Sequence, residues 1–345
     1  MLGASRPALA VFGALLAAAF AAGQAQAKPP QAPDASATRA ALTQYQERDQ
    51  RLQNIGWRLV RGNAEFCDTV IPSIGLQLLD AAGYGGPDTV REALGLQGHF
   101  AVQSVANGSP AALSDAFRVK REVARIGEEN PNQWPAQKRL DWERLTRAHD
   151  AIDAALAQNG QVAIGFADGA AAMLEPVSTC ATRFEVMSGS KRAVAEGSRV
   201  IIGARFAGFE WGEDEIFAGV VAHELAHNLL HHRKWLERNG RKRRHVRLTE
   251  READRMIPWL LANAGYDPTA AYRFMERWGK RHDLGLFRAR THDGWDERAE
   301  FIAAELPIIA DLMEREGRAD WSVHFRREID PDKGLAQSQE AARGE

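Results

Sequence analysis

Residues 213–232 read EDEIFAGVVAHELAHNLLHH. Glu213, Asp214 and Glu215 suit the positive end of a helix dipole, and the run behind them is apolar on nearly every side, so the stretch predicts a buried helix. Inside it lies HExxH: His223, Glu224 and His227. Two histidines four apart project from one face, so both imidazoles can reach one metal ion, and Glu224 points the same way, toward a water held there. This is the layout of a zinc hydrolase, in which the pKa of a water falls from about 15.7 to about 7 and a neighbouring carboxylate takes its proton. The plainer alternative, two core histidines satisfied by hydrogen bonds, would bury two imidazoles and a carboxylate together without an ion, at considerable cost.

A catalytic zinc takes three protein ligands and leaves a position for water. TEREAD, residues 249–254, offers the third. Glu250 and Asp254 are four apart on an expected helix, so one can bind the metal while the other accepts the second ring N–H of a ligand histidine. Thr249 and Glu252 read as a capping box at the start of that helix. The basic run 241–247, RKRRHVR, reads as a solvated loop ahead of it, with contact to anionic lipid headgroups as the lesser alternative. His231 and His232 extend the first helix. His231 shares the face of His227 but lies a further turn away, too far for a fourth ligand, which leaves solvated or supporting roles.

The chain has 345 residues, 45% hydrophobic and 26% charged, with a formal net charge of -2. That describes a globular protein with room for two domains, and it lacks the basic excess of a nucleic-acid binder. Arg6, an Ala-rich apolar stretch and Ala25-Gln26-Ala27 read as a secretory signal peptide over residues 1–27, shorter in its apolar part than a membrane span. Export, most simply to the periplasm, follows, with no transmembrane anchor in the mature chain and at most peripheral membrane contact. Both cysteines, Cys67 and Cys180, lie in the exported part, where a pair implies a disulfide.

Residues 28–74 form a leader and a helix, the latter from the spacing of Leu42, Tyr45, Leu52, Ile55 and Leu59. Over 75–176 the texture changes to short strands and turns, with strands at 100–105, 121–126 and 161–166 and a helix at 137–157. Strands follow at 183–187 and 198–203, where an edge near Val200 could hold an extended peptide beside the metal. Pro258 inside the second site helix removes a hydrogen bond and predicts a kink. The peptidase part ends near 315, and 316–345 reads as a charged tail, frayed from about Asp330. No helical repeat array follows.

HExxH followed by ExxAD on the next helix resembles the gluzincin peptidases that include the HtpX-type heat-shock protease and the CAAX prenyl proteases, peptidase family M forty-eight. Ala264-Gly265-Tyr266-Asp267-Pro268, and Thr291-His292 followed by Arg298, agree with it. The likeness covers residues 178–312 and is closest to exported bacterial members that carry a PDZ domain. It implies that His223, His227 and Glu250 hold one Zn²⁺, that Glu224 is the general base, and that Asp254, with Arg298, supports a ligand histidine, His223 first. His292 is implied beside the metal, steadying the developing oxyanion or locking the water position; its alternative is a loop histidine. Asp293 departs from the family's Pro and adds a carboxylate near the site.

The block over 75–176 resembles a PDZ domain through the strand 100–105, Gly108-Ser109-Pro110-Ala111 and a second strand ending near Arg125-Ile126-Gly127. Lys120-Arg121 stands where such domains commonly carry Gly-Asp, and Leu94-Gly95-Leu96-Gln97-Gly98 is a loose version of their carboxylate-holding loop. The resemblance implies peptide binding by strand addition, the alternative being a spacer or shield. The expected fold is α+β: a mainly helical HExxH zinc-metallopeptidase domain with a small sheet, preceded by a PDZ-like β-rich domain. The expected function is zinc-dependent cleavage of peptide bonds in misfolded or envelope proteins. Its rivals are a PDZ-mediated peptide-binding or chaperone-like protein with a latent metal site, and a purely structural metal with four closed ligands. Substrate identity and oligomeric state are not encoded in these motifs.

Overall fold

The computed structural model describes residues 35–138, 140–282 and 293–329. The expected signal peptide (1–27), Thr291, His292 and the tail beyond 329 lie outside the described residues. Within them the fold is α+β with ten α-helices and four small sheets. No described helix is long and apolar enough to cross a membrane.

Helix α1 (Ala35–Gly62) presents Leu52, Ile55, Leu59 and Val60 to the main core. After it come β1 (Val70–Ser73), β2 (Leu76–Asp80), α2 (Pro87–Leu94), β3 (Phe100–Val105), α3 (Pro110–Leu113), β4 (Val123–Ile126), α4 (Glu143–Asn159), β5 (Val162–Phe166), β6 (Ala171–Leu174) and β7 (Val177–Cys180). β1 and β7 pair antiparallel with Val70 opposite Cys180, and the Cys67–Cys180 disulfide clamps their base with Cα atoms 5.6 Å apart. The intervening residues therefore leave and rejoin the chain at one place, on a two-stranded stem.

Between the stem strands a second core forms. β2 pairs with β3, and β4, β5 and β6 form a meander in that order. β5 shows why: Val162, Ile164 and Phe166 alternate inward, as period-2 patterning requires. Ile74, Leu78, Phe100, Val102, Ile152 and Ile164 make the centre of this core. α4 starts six residues later than the sequence periodicity suggests. The Asp141 carboxylate accepts the N–H groups of Gln137 and Glu143 at 2.7 and 3.1 Å, and this local turn competes with helix ahead of Glu143.

The remaining elements are β8 (Arg183–Met187), β9 (Ala193–Ala195), β10 (Arg199–Gly203), α5 (Asp214–Leu229), α6 (His232–Asn239), α7 (Arg243–Asn263), α8 (Ala270–His282), α9 (Trp295–Glu316) and α10 (Trp321–His324). The sheet order is β8-β10-β9, with β10 parallel to β8 and antiparallel to β9. Val200 is thus buried in a central strand, and the free edge expected there belongs to β9 instead. α5 is buried almost all round, by Phe217, Val221, Leu225 and Ala226 among others, as its uniformly apolar sequence requires. Gly219 lets α8 approach, since a Cβ there would sit 2.9 Å from the Phe274 Cβ.

Three boundaries differ from the sequence expectation. α1 shares one core with β8, β10, α5 and α7, so it belongs to the helical unit rather than to a separate leader. α7 begins at Arg243, so five of the seven residues of the basic run are helical and Thr249 and Glu252 lie mid-helix instead of forming a capping box; Thr249 Oγ1 donates to the Val246 carbonyl at 2.7 Å. α7 does run through Pro258 to Asn263, in agreement with a proline inside this helix. Finally, residues 316–329 are packed rather than a free tail. Trp321 and Phe325 enter the main core, Trp321 Nε1 donates to Asn63 Oδ1 at 2.9 Å, and Ile329 packs with Trp235 and Leu236.

Candidate metal centre

α5 and α7 pack side by side and bring three donors together. His223, His227 and Glu250 each offer one ligand atom, all within 4.8 Å of one another. His223 Nε2 and His227 Nε2 are 3.2 Å apart, and they lie 3.4 and 3.6 Å from the two Glu250 oxygens. Donors about 2.0–2.1 Å from a tetrahedral zinc would stand about 3.3 Å from each other. The residues present therefore fit such an ion, in size and in donor chemistry, and a three-donor set leaves a fourth position open.

The far ring nitrogens also face close neighbours. His223 Nδ1 lies 3.1 Å from Asp254 Oδ1, and Arg298 grips Asp254 on both oxygens at 2.6 and 2.7 Å. Burial pushes the Asp254 carboxyl up, but the charge of Arg298 and the contact with His223 outweigh it and hold it below the usual range. Burial likewise works against a charged His223, yet Asp254 and Glu250 prevail and raise its pKa to about 10, so two carboxylates make a place for a positive charge. His227, dominated by burial with added repulsion from His223 and His232, is lowered to about 3 and is neutral. A neutral imidazole is the form that ligates a metal.

Beyond His227 the arrangement departs from the sequence expectation. α5 ends at Leu229, and His231 adopts a left-handed conformation with φ 55°. His231 leaves the site and pairs with Asp68 at 2.7 Å, beside the disulfide. His232, wholly buried at the start of α6, turns back instead: its Nδ1 is 2.9 Å from His227 Nδ1 and its Nε2 is 3.0 Å from Glu252 Oε2. Burial lowers the His232 pKa against the pull of Glu252. Burial would raise Glu252, but His232 and Arg327 overcome it and bring the carboxyl down to about 2. Sequence reasoning missed His232, Glu252 and Arg327 as parts of the site. Five residues along a straight helix point away from His227, and only the left-handed turn at His231 brings His232 round.

Glu224 lies in the cleft wall beside the triad. Burial pushes its pKa up to about 7, with Glu250 adding to the effect, while His223 and a backbone hydrogen bond from Ala195 on β9 oppose it. The cleft has a volume of about 640 Å³ and is lined by residues 191–196 of the β9 hairpin and by Phe206, Val220, Phe274 and Trp278 among others. Arg298 also reaches it. Asp293, expected to add a carboxylate near the site, is taken up by Arg251 at 2.9 Å and Arg247 at 3.3 Å. Cys67 and Cys180 form the expected disulfide. No protein-family model and no curated protein matches this chain.

Proposed function

We propose that the protein is an exported, zinc-dependent endopeptidase of the gluzincin type, with a PDZ-like block inserted between α1 and β8, and that it cleaves peptide bonds in misfolded or envelope proteins. The observation that carries this reading is the convergence of His223, His227 and Glu250, whose single donor atoms lie within 4.8 Å of one another, with the two Nε2 atoms 3.2 Å apart and each within 3.6 Å of one Glu250 oxygen, as one tetrahedral ion would need. The Cys67–Cys180 bond supports an oxidising compartment such as the periplasm. For the inserted block, the order β3, a Ser109-capped α3, β4 and then α4 supports the PDZ-like reading.

The chemistry that zinc supplies when bound is Lewis-acid polarisation of a carbonyl and acidification of a water. Glu224, in the cleft wall beside the triad, takes the proton of the attacking water and passes it to the leaving amine. An extended substrate lies along the β9 edge, where strand addition aligns its backbone with the cleft. Phe206, Phe274 and Trp278 give the cleft apolar lining for a substrate side chain.

The test is digestion of an unfolded protein such as casein by the purified chain, with and without a chelator, alongside elemental metal analysis. Cleavage should disappear on chelation and return with zinc. Glu224→Gln should bind zinc as the parent does and cleave at least about 10²-fold more slowly. Cleavage that persists in both cases, or a chain that takes up no metal, would end this reading.

A further inference from the structure

The two ligand histidines are supported in different ways. His223 meets a carboxylate directly, through Asp254. His227 reaches one only through a second imidazole, and that carboxylate is held by the far end of the chain. His227 Nε2 faces His223 and Glu250, so its proton sits on Nδ1 and is donated to His232 Nδ1 at 2.9 Å. The His232 proton is then on Nε2 and goes to Glu252 Oε2 at 3.0 Å. Arg327 Nε donates to the same oxygen at 2.9 Å, while the backbone N–H groups of Glu328 and Ile329 donate to Oε1 at 2.5 and 2.8 Å. Arg327 Nη2 also donates to the Leu230 carbonyl at 3.1 Å, at the end of the helix that carries both histidines.

We infer that His232, Glu252 and Arg327 are positioning residues for His227, and that residues 327–329 act as a latch whose docking sets how tightly the site holds its metal. This inference rests on the metal reading above. The relay has one direction only: each donor has one acceptor, and four donors converge on a carboxylate with no solvent exposure. A buried His–Glu–Arg chain kept for stability alone could be replaced by apolar side chains without loss. What apolar residues could not do is fix the tautomer and the ring plane of a metal ligand, which such outer contacts do. The latch has separate anchors as well, since the Glu328 carboxylate pairs with Arg251 and Arg255, each at 3.1 Å. Docking and relay can therefore be tested apart.

The experiment measures zinc affinity of the full chain by competition with a chromogenic chelator, and records the visible spectrum of the cobalt(II)-substituted protein. Glu252→Gln and Arg327→Met should weaken zinc binding about 10–100-fold and alter the cobalt bands, and Arg327→Lys should restore part of the affinity. Glu328→Gln, which loses the anchoring ion pairs but keeps the relay, should loosen the latch and lower zinc affinity while leaving the cobalt spectrum unchanged; unchanged affinity would refute the latch. If Glu252→Gln does not fold, Arg327→Met at its partly exposed position carries the test alone. Folded relay variants that bind zinc and shape the cobalt spectrum as the parent does would overturn the inference. A parent chain that binds neither ion would instead refute the metal reading beneath it.

Discussion

Arg298 closes on both oxygens of Asp254, at 2.6 and 2.7 Å, in a pocket where the Asp254 side chain has no solvent exposure. The pair anchors His223 from behind. Arg298→Met leaves a carboxylate buried without its cation, a change that costs about 3–5 kcal/mol. Denaturant titration of the metal-free protein should show that loss. Arg298→Lys, which keeps the charge but not the forked geometry, should recover only part of it. A variant as stable as the parent would mean that Asp254 is protonated or hydrated in solution.

Asp49 on α1 is buried against the inserted block, where Ser104 Oγ donates to it at 2.9 Å. Burial, with a smaller push from Glu185, raises its pKa to about 6 from 3.8. The folded state therefore holds this proton more tightly than the unfolded state. The stability it contributes is complete below about pH 4 and is lost as pH rises through 6, for a total of about 3 kcal/mol. Asp49→Asn should match the parent near pH 4 and exceed it at pH 7. The difference between the two proteins is the readout, because buried His149, lowered to about 3, tilts the absolute curve the other way. Parallel stability curves from pH 4 to 7 would rule this out.

The disulfide joins residues 113 apart in sequence. By the loop-entropy argument a closure of that length is worth about 2–5 kcal/mol. Cys67→Ser with Cys180→Ser should lower the denaturant midpoint accordingly. The same drop should follow when the parent is titrated in dithiothreitol, and no change in either would show that the β1–β7 stem holds without the bond.

Gly219 sits where α5 and α8 touch. Gly219→Ala puts a methyl 2.9 Å from the Phe274 Cβ, and neither backbone can yield without moving α5 or α8. Overpacking of this kind costs about 1–3 kcal/mol. Thermal melting should fall, and zinc affinity with it; a neutral outcome would show that α8 shifts freely.

The centre of the site was legible because its parts are local. His223, Glu224 and His227 share one turn of α5, and Glu250 and Asp254 share one turn of α7, so spacing alone predicts their faces. The contacts of Asp254 with His223 and Arg298 follow the expected pattern. What was not legible depends on backbone turns and on distant chain. His232 reaches His227 only through the left-handed residue before it, and Glu252 looked like a cap because the helix start at Arg243 hides in a basic run. Arg327 lay in a segment whose charge suggested solvent, although its partner is a buried carboxylate. The edge strand was placed one strand too far inward, because the three residues of β9 are too short to show alternation. His292 lies outside the described residues.

Because the inserted block departs and returns at Cys67 and Cys180, with Cα atoms 5.6 Å apart, it can be handled as a cassette. A short reverse turn spans that gap, so excision need not tear the helical unit, provided the face of α1 carrying Leu42 and Asp49 is made polar. The same geometry makes the block exchangeable: another compact module grafted at these two points would leave the cleft and its His223, His227 and Glu250 in place.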